Sequence, residues 1–364
     1  MAESIPVNSL PGIQERSVRA RESVVFFRSY AFYSPAGKCW HLEIHGKIYA
    51  PTRRHIRKTV LLHLFKRVVK PEKDAQIHRL FRDRADLFLN VSKANISVPI
   101  AIAEQAFVLP KSTPDGHFRT TVTVSQTELE PSIQVDEFGR RFVQLCVHLP
   151  EDDDRFFAGE VELIAPEGVS VISDIDDTIK VTNVADRREL LANTFTREFQ
   201  AVPGMPETYQ RLASLGTSFH YVSSSPWPLY DPLVSWLDKD SFPAGSLHLR
   251  NVRLSELRRN WKRQAAYESK RKTIESLLRS FPARQFVLCG DSGERDAELY
   301  AEIAERFRDQ VSHVAIRYLS DGYHRYSRAE IASRFSNLSS DRWSIFESPD
   351  ELNWTNSVGQ VAVG

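Results

Sequence analysis

Cysteine is scarce in this 364-residue sequence: Cys39, Cys146 and Cys289 are the only three, odd in number and far apart. That spacing excludes a disulfide framework and a cysteine-based metal site, and it fits a reducing compartment. Long apolar runs are also missing, and nothing approaches the roughly 18 consecutive apolar residues that a bilayer span needs. Met1 to Leu10 lack a charged segment followed by an apolar core, so no secretory signal is expected. A surplus of one charge sign is absent too, since 48 Lys and Arg face 47 Asp and Glu, a net charge of +1. A surface directed at nucleic acid is therefore not expected. There is no internal repeat and no low-complexity tract. What remains is 41% hydrophobic and 26% charged, ordinary for a globular chain and long enough for two domains. The expectation is a soluble, cytoplasmic protein.

Composition changes along the chain suggest four segments. Residues 1–22 are polar, contain Pro6 and Pro11, and read as a loose arm. Residues 23–165 read as a smaller β-rich domain, antiparallel and sandwich-like. Phe118, Thr120, Val122 and Val124 alternate there, as do Val143, Leu145, Val147 and Leu149. Within this domain, Leu61, Leu64, Phe65 and Val68 recur at helical spacing among Arg53, Arg54, Arg57, Lys58, Lys66, Arg67 and Lys70. A basic amphipathic helix over 53–70 is the expectation, either packed on its own domain or in peripheral contact with an anionic membrane. Residues 166–335 alternate strand and helix, which predicts an α/β domain with a parallel sheet covered on both faces. Residues 336–364 read as an extension of unknown use.

The chemistry concentrates at strand ends of the third segment. Ser173-Asp174-Ile175-Asp176-Asp177-Thr178 follows the apolar stretch Val169, Val171 and Ile172. Acids at i and i+2 of an extended segment point the same way, and their repulsion calls for a cation or a shared proton. Paired acids at a strand end suggest Mg²⁺ and phosphoryl chemistry. Next comes Phe219-His-Tyr-Val-Ser-Ser-Ser225 before Pro226, where Ser223 and Ser224 offer hydroxyls at the start of a helix, as a phosphate cradle or simply as a cap. Lys270 lies in the run Lys270-Arg-Lys272 ahead of a helix, with Lys272 an alternative for any ammonium role. Finally Phe286-Val-Leu-Cys-Gly-Asp291-Ser-Gly-Glu-Arg-Asp296 places Asp291 at another strand end and Asp296 at the opening of a helix.

In that order these elements resemble the four motifs of the haloacid dehalogenase-like phosphatases. The strings Ser173–Ile179, Phe219–Tyr230 and Gly290–Tyr300 are similar, more narrowly, to the catalytic domain of actin-patch-type phosphatidate phosphatases, over roughly 165–325. The resemblance implies a haloacid dehalogenase-like fold and Mg²⁺-dependent hydrolysis of phosphatidate to diacylglycerol. It implies Asp174 as the nucleophile, Asp176 as the acid–base, and Thr178, Ser223, Ser224 and Lys270 around the phosphoryl group. Metal ligands would be Asp174, Asp176 through its backbone carbonyl, Asp291 and Asp296. Some fungal relatives carry proline-rich tails that recruit actin-related partners; none is seen here, so that partnership is not expected. Two other readings compete: a phosphatase of a soluble phosphomonoester, and a non-catalytic phosphatidate-binding module.

Overall fold

The computed structural model describes residues 18–51, 59, 74–251, 263–320 and 322–352. The basic helix expected over 53–70 lies outside the described residues apart from Thr59, as do most of the expected arm and the last part of the expected extension. The chain divides into two compact units, Met1–Arg54 with Leu89–Ala165, and His55–Phe88 with Pro166–Gly364.

The first unit is built from strands β1 (Ser23–Phe26), β2 (Ser29–Ser34), β3 (Cys39–Ala50), β4 (Val91–Ser92), β5 (Pro99–Ile102), β6 (Gln105–Val108), β7 (His117–Ser125), β8 (Gln134–Val135), β9 (Arg141–Val147) and β10 (Ala158–Ile164). β3 alternates strictly between half-buried and buried positions, so one of its faces supplies Trp40, Leu42, Ile44 and Ile48 to the core. β1 and β2 line one edge of β3 and β7 pairs along the other. β2 pairs with β3 and also, in parallel, with β10, so the hydrogen-bonded ladder runs unbroken through one ten-stranded sheet. Inward residues of both halves, such as Leu42 and Val122 with Val143 and Val161, share a single core.

The second unit carries strands β11 (Val169–Ser173), β12 (Ser218–Pro226), β13 (Ser246–Arg250), β14 (Gln285–Asp291), β15 (Val311–Arg317) and β16 (Trp343–Phe346). All pair in parallel, in the order β13-β12-β11-β14-β15-β16. Its helices are α1 (Ala75–Leu87), α2 (Arg187–Phe195), α3 (Met205–Ala213), α4 (Tyr230–Lys239), α5 (Arg263–Ser280), α6 (Asp296–Arg306) and α7 (Arg328–Arg334). Alternate residues of β12 show the covering of both faces. Phe219 meets Tyr209 of α3 at 5.3 Å between ring centres, whereas His220 meets Phe281, just past α5, at 6.1 Å. The α/β architecture with a separate β-rich region therefore stands as expected.

Local expectations need correction at three places. Lys270 lies inside α5, not ahead of a helix, because burial of Tyr267, Lys270, Ile274, Leu277 and Leu278 continues one helical stripe through the charge run. Ser223 and Ser224 do not open a helix; β12 runs on through them to Pro226, and a 3₁₀ turn, Trp227–Leu229, precedes α4. The segment beyond 336 includes β16, which extends the sheet beside β15.

Candidate active site

β11 is the centre of the parallel sheet, with β12 on one side and β14 on the other, so successive connections leave in opposite directions at its carboxyl end. Such a switch point is where ligands sit in open α/β sheets. Asp174 follows β11 directly, and its N–H donates to Cys289 O of β14 at 2.8 Å. Asp291 ends β14, and Asp296 opens α6. Gly290 permits this convergence, since a Cβ there would stand 2.4 Å from Asp296 Oδ2 and 2.7 Å from the Tyr300 ring.

Asp174, Asp291 and Asp296 each offer a carboxylate oxygen to one cluster, these atoms all lying within 4.8 Å of one another, and all three residues are buried. Lys270 Nζ donates to Asp174 Oδ1 at 2.8 Å and to Asp296 Oδ1 at 2.6 Å. Thr178 Oγ1 donates to Asp174 Oδ2 at 3.1 Å. Asp291 Oδ1 accepts from the Gly293 and Glu294 N–H groups at 2.6 and 3.1 Å, while its buried Oδ2 has no hydrogen-bond partner among the described residues. Lys272, by contrast, is exposed, so the geometry joins Lys270 to the acids and not its neighbour.

Charge follows from this geometry. Burial drives the Asp174 carboxyl well above the usual carboxylate range, against the pull of Lys270. Burial, with Asp296 and Asp174 nearby, does the same to Asp291. Burial opposes the charge on Lys270, but Asp174 and Asp296 overcome it and raise its pKa well above the ordinary value. Glu294, half-buried in the connecting turn, is pushed up to about 7, chiefly by burial and against Lys270. With only one ammonium beside three carboxyls, ionising all three would leave two negative charges without a counterpart. An all-oxygen set with an unpartnered buried oxygen and that residual charge fits a hard divalent cation such as Mg²⁺.

Asp176 is not part of this cluster through its side chain. Its Oδ1 accepts from Lys180 Nζ at 2.8 Å and Thr182 Oγ1 at 2.9 Å. Its Oδ2 accepts from Ser223 Oγ at 3.0 Å and Ser225 Oγ at 2.8 Å. Burial alone would raise this carboxyl, but Lys180 and the hydrogen bonds from Ser225 and Thr182 hold it down to about 2. Ser224 is half-buried and lines a small pocket with Ser223, His248, Arg250, Lys270 and Thr273.

The loop between β11 and α2 is tied by a residue that sequence reasoning overlooks. Asp177 takes a left-handed φ of 60°, and its carboxylate accepts from the N–H groups of Thr182, Asn183 and Val184 at 2.8, 2.6 and 2.6 Å. Lys180, Thr182 and Ser225 were overlooked as well. The one signal for Lys180 is its place between Ile179 and Val181.

Residues 169–318 match the family described as "Phosphatidate phosphatase APP1, catalytic domain". Phosphatidate phosphatase APP1 of Saccharomyces cerevisiae is 35% identical over 162 residues, 43% of this chain and 27% of that protein. An uncharacterised protein of Schizosaccharomyces pombe is 32% identical over 165 residues, 44% of this chain and 27% of that protein. The chain thus spans about a quarter of the length of the curated relatives it matches. Among solved structures, the class C acid phosphatase from Bacillus anthracis is similar at a TM-score of 0.28 and 13% identity, over 52% of this chain and 70% of that one. An overlap so loose carries no argument.

Proposed function

We propose that the second unit is the catalytic domain of a Mg²⁺-dependent phosphatase of the haloacid dehalogenase-like type, and that its substrate is phosphatidate. The observation that carries the reaction class is the cluster of Asp174, Asp291 and Asp296 on Lys270, with Asp291 Oδ2 left open. Similarity over 169–318 to a phosphatidate phosphatase catalytic domain supports the substrate. Asp174, Asp291 and Asp296 would hold the cation, together with the backbone carbonyl of Asp176. Bound there, it offsets the repulsion between an anionic nucleophile and an anionic phosphate.

Asp174 attacks the phosphorus, so that a bond from its carboxylate oxygen forms as the ester P–O bond breaks. Lys270 and Ser223 hold phosphoryl oxygens, and Thr178 fixes the nucleophile's second oxygen. Asp176 delivers a proton to the departing alkoxide and then takes one from the water that cleaves the aspartyl-phosphate. As it stands, four donors keep Asp176 ionised, which suits the base role. For the acid role, Ser223 and Ser225 turn to the phosphoryl group, and the arriving negative charge raises the carboxyl pKa.

No described helix is long and apolar enough to cross a membrane. Action on a bilayer lipid calls for contact with its anionic surface, for which the basic stretch 53–70 is the candidate in the sequence.

The test is phosphate release from phosphatidate in mixed micelles, with Mg²⁺ or with EDTA. Release should depend on Mg²⁺ and fall by roughly 1000-fold or more in Asp174→Asn. Release only from soluble phosphomonoesters would overturn the substrate and keep the mechanism. Binding of phosphatidate without release from any ester would replace catalysis with a binding role.

A further inference from the structure

Asp176 is gripped from two sides that differ in kind. Its Oδ2 takes the hydroxyls of Ser223 and Ser225, both from the end of β12 that also borders the Lys270 pocket. A hydroxyl rotates about a single bond and can turn to another acceptor at little cost. Its Oδ1 takes the Lys180 ammonium and the Thr182 hydroxyl, and this grip is rigid. Lys180 is only 2% exposed; its Nζ also donates to Thr182 Oγ1 at 2.5 Å and lies 4.9 Å from the centre of the Phe199 ring. The Lys180 backbone is fixed too, donating to Ile175 O at 2.9 Å and accepting from Asp177 N at 2.7 Å. A buried ammonium is costly unless it is well paired, and Asp176 supplies its carboxylate partner.

We propose that Lys180 is a positioning residue for acid–base catalysis: it anchors Oδ1 of Asp176 so that Oδ2 is the oxygen presented to the ester. The inference rests on the phosphatase reading above and names the residue that makes its acid effective. In the step concerned, the Oδ2–H bond breaks as the O–H bond of the departing alcohol forms. The electron pair of the broken ester P–O bond stays on the alcohol oxygen, and Asp176 is left as the carboxylate. Without Lys180 only the hydroxyls of Thr182, Ser223 and Ser225 hold the carboxylate, and each of them can rotate away, so it is free to turn about χ2. Such loss of orientation costs rate even when every reacting group is still present.

The consequence depends on the leaving group. An alkoxide needs a proton as it departs, whereas p-nitrophenolate leaves as a stable anion. The experiment compares wild type, Lys180→Met and Thr182→Val on soluble dihexanoyl phosphatidate and on p-nitrophenyl phosphate, with Mg²⁺. Lys180→Met should lose roughly tenfold more kcat/KM, which reports the step in which the alcohol departs, on the alkyl ester than on the aryl ester, part of the ~100-fold or more that a positioned acid supplies. Thr182→Val, which keeps the ammonium, should shift the ratio the same way by less. The ratio does not depend on how much of a variant is folded, so a merely structural role leaves it at the wild-type value. Should Lys180→Met not fold, Thr182→Val decides alone. Equal losses on both esters overturn the assignment to Lys180, as does a wild type that turns over only the aryl ester. A wild type inert on both overturns the phosphatase reading itself, and the assignment with it.

Discussion

At the scale of single residues, the site carries more acid than its own cations can balance. Asp291 shows it most clearly: one oxygen is satisfied by two backbone N–H groups, and the other is buried without a partner. Ionising a buried acid with an unpartnered oxygen is costly in the empty site, and a bound cation relieves that cost. Asp291→Asn keeps an acceptor for Gly293 and Glu294 while removing the ionisable group. In EDTA the variant should be more stable than wild type by about 1 kcal/mol, while losing both activity and the rise in Tm that Mg²⁺ gives the wild type. Thermal unfolding with and without Mg²⁺ measures both, and a less stable Asp291→Asn in EDTA would contradict the account. The acids of this cluster were legible in the sequence because each ends a strand or opens a helix, where local pattern fixes direction. Ser225 and Lys180 were not. Ser225 reaches Asp176 across 49 positions, and Lys180 earns burial only through a chain reversal that no periodicity announces.

At the scale of elements, the connection after β11 matters as much as the strands beside it. It must place Asp174, Asp176, Thr178 and Lys180 within seven residues while leaving the sheet. Asp177 makes that reversal with a left-handed backbone and three accepted N–H bonds. Arg317 of β15 adds a bond from Nη1 to Asp177 O at 2.6 Å. Asp177→Ala loses the three bonds and strains the backbone, at a cost of about 2–4 kcal/mol, whereas Asp177→Asn, which tolerates this φ, should cost roughly 1 kcal/mol. Urea denaturation ranks the two, and equal costs would mean that the carboxylate ties nothing. Long periodic elements were readable in advance; short or polar ones were not. β13 offers only Leu247 and Leu249 as an alternating pair, and β16 buries Phe346 alone. The first half of α5 is so rich in charge that only its buried Tyr267 and Lys270 reveal the inward face.

At the scale of the whole molecule, both units bury histidine that is kept neutral, His117 in the first and His220 and His313 in the second. Burial lowers His117 to about 4 in the first unit, with Lys47 adding to the effect and Asp115 opposing it. Burial likewise pushes His220 and His313 down in the second. A histidine whose folded pKa is depressed leaves stability intact above its unfolded value of about 6.5. Below that value the unfolded chain binds a proton that the folded one resists, so stability falls with pH until the folded pKa is reached. For His117 the window runs from about 6.5 down to about 4. Its share of the loss at pH 5 is about 2 kcal/mol by linkage. His117→Gln removes the titrating group, so its decline in stability between pH 7.5 and pH 5 should be smaller than that of wild type by about this amount. His220 and His313 keep titrating in both proteins, so the difference isolates the first unit. Urea midpoints at the two pH values measure it. Parallel declines would mean that His117 takes up its proton in the folded protein as readily as in the unfolded chain.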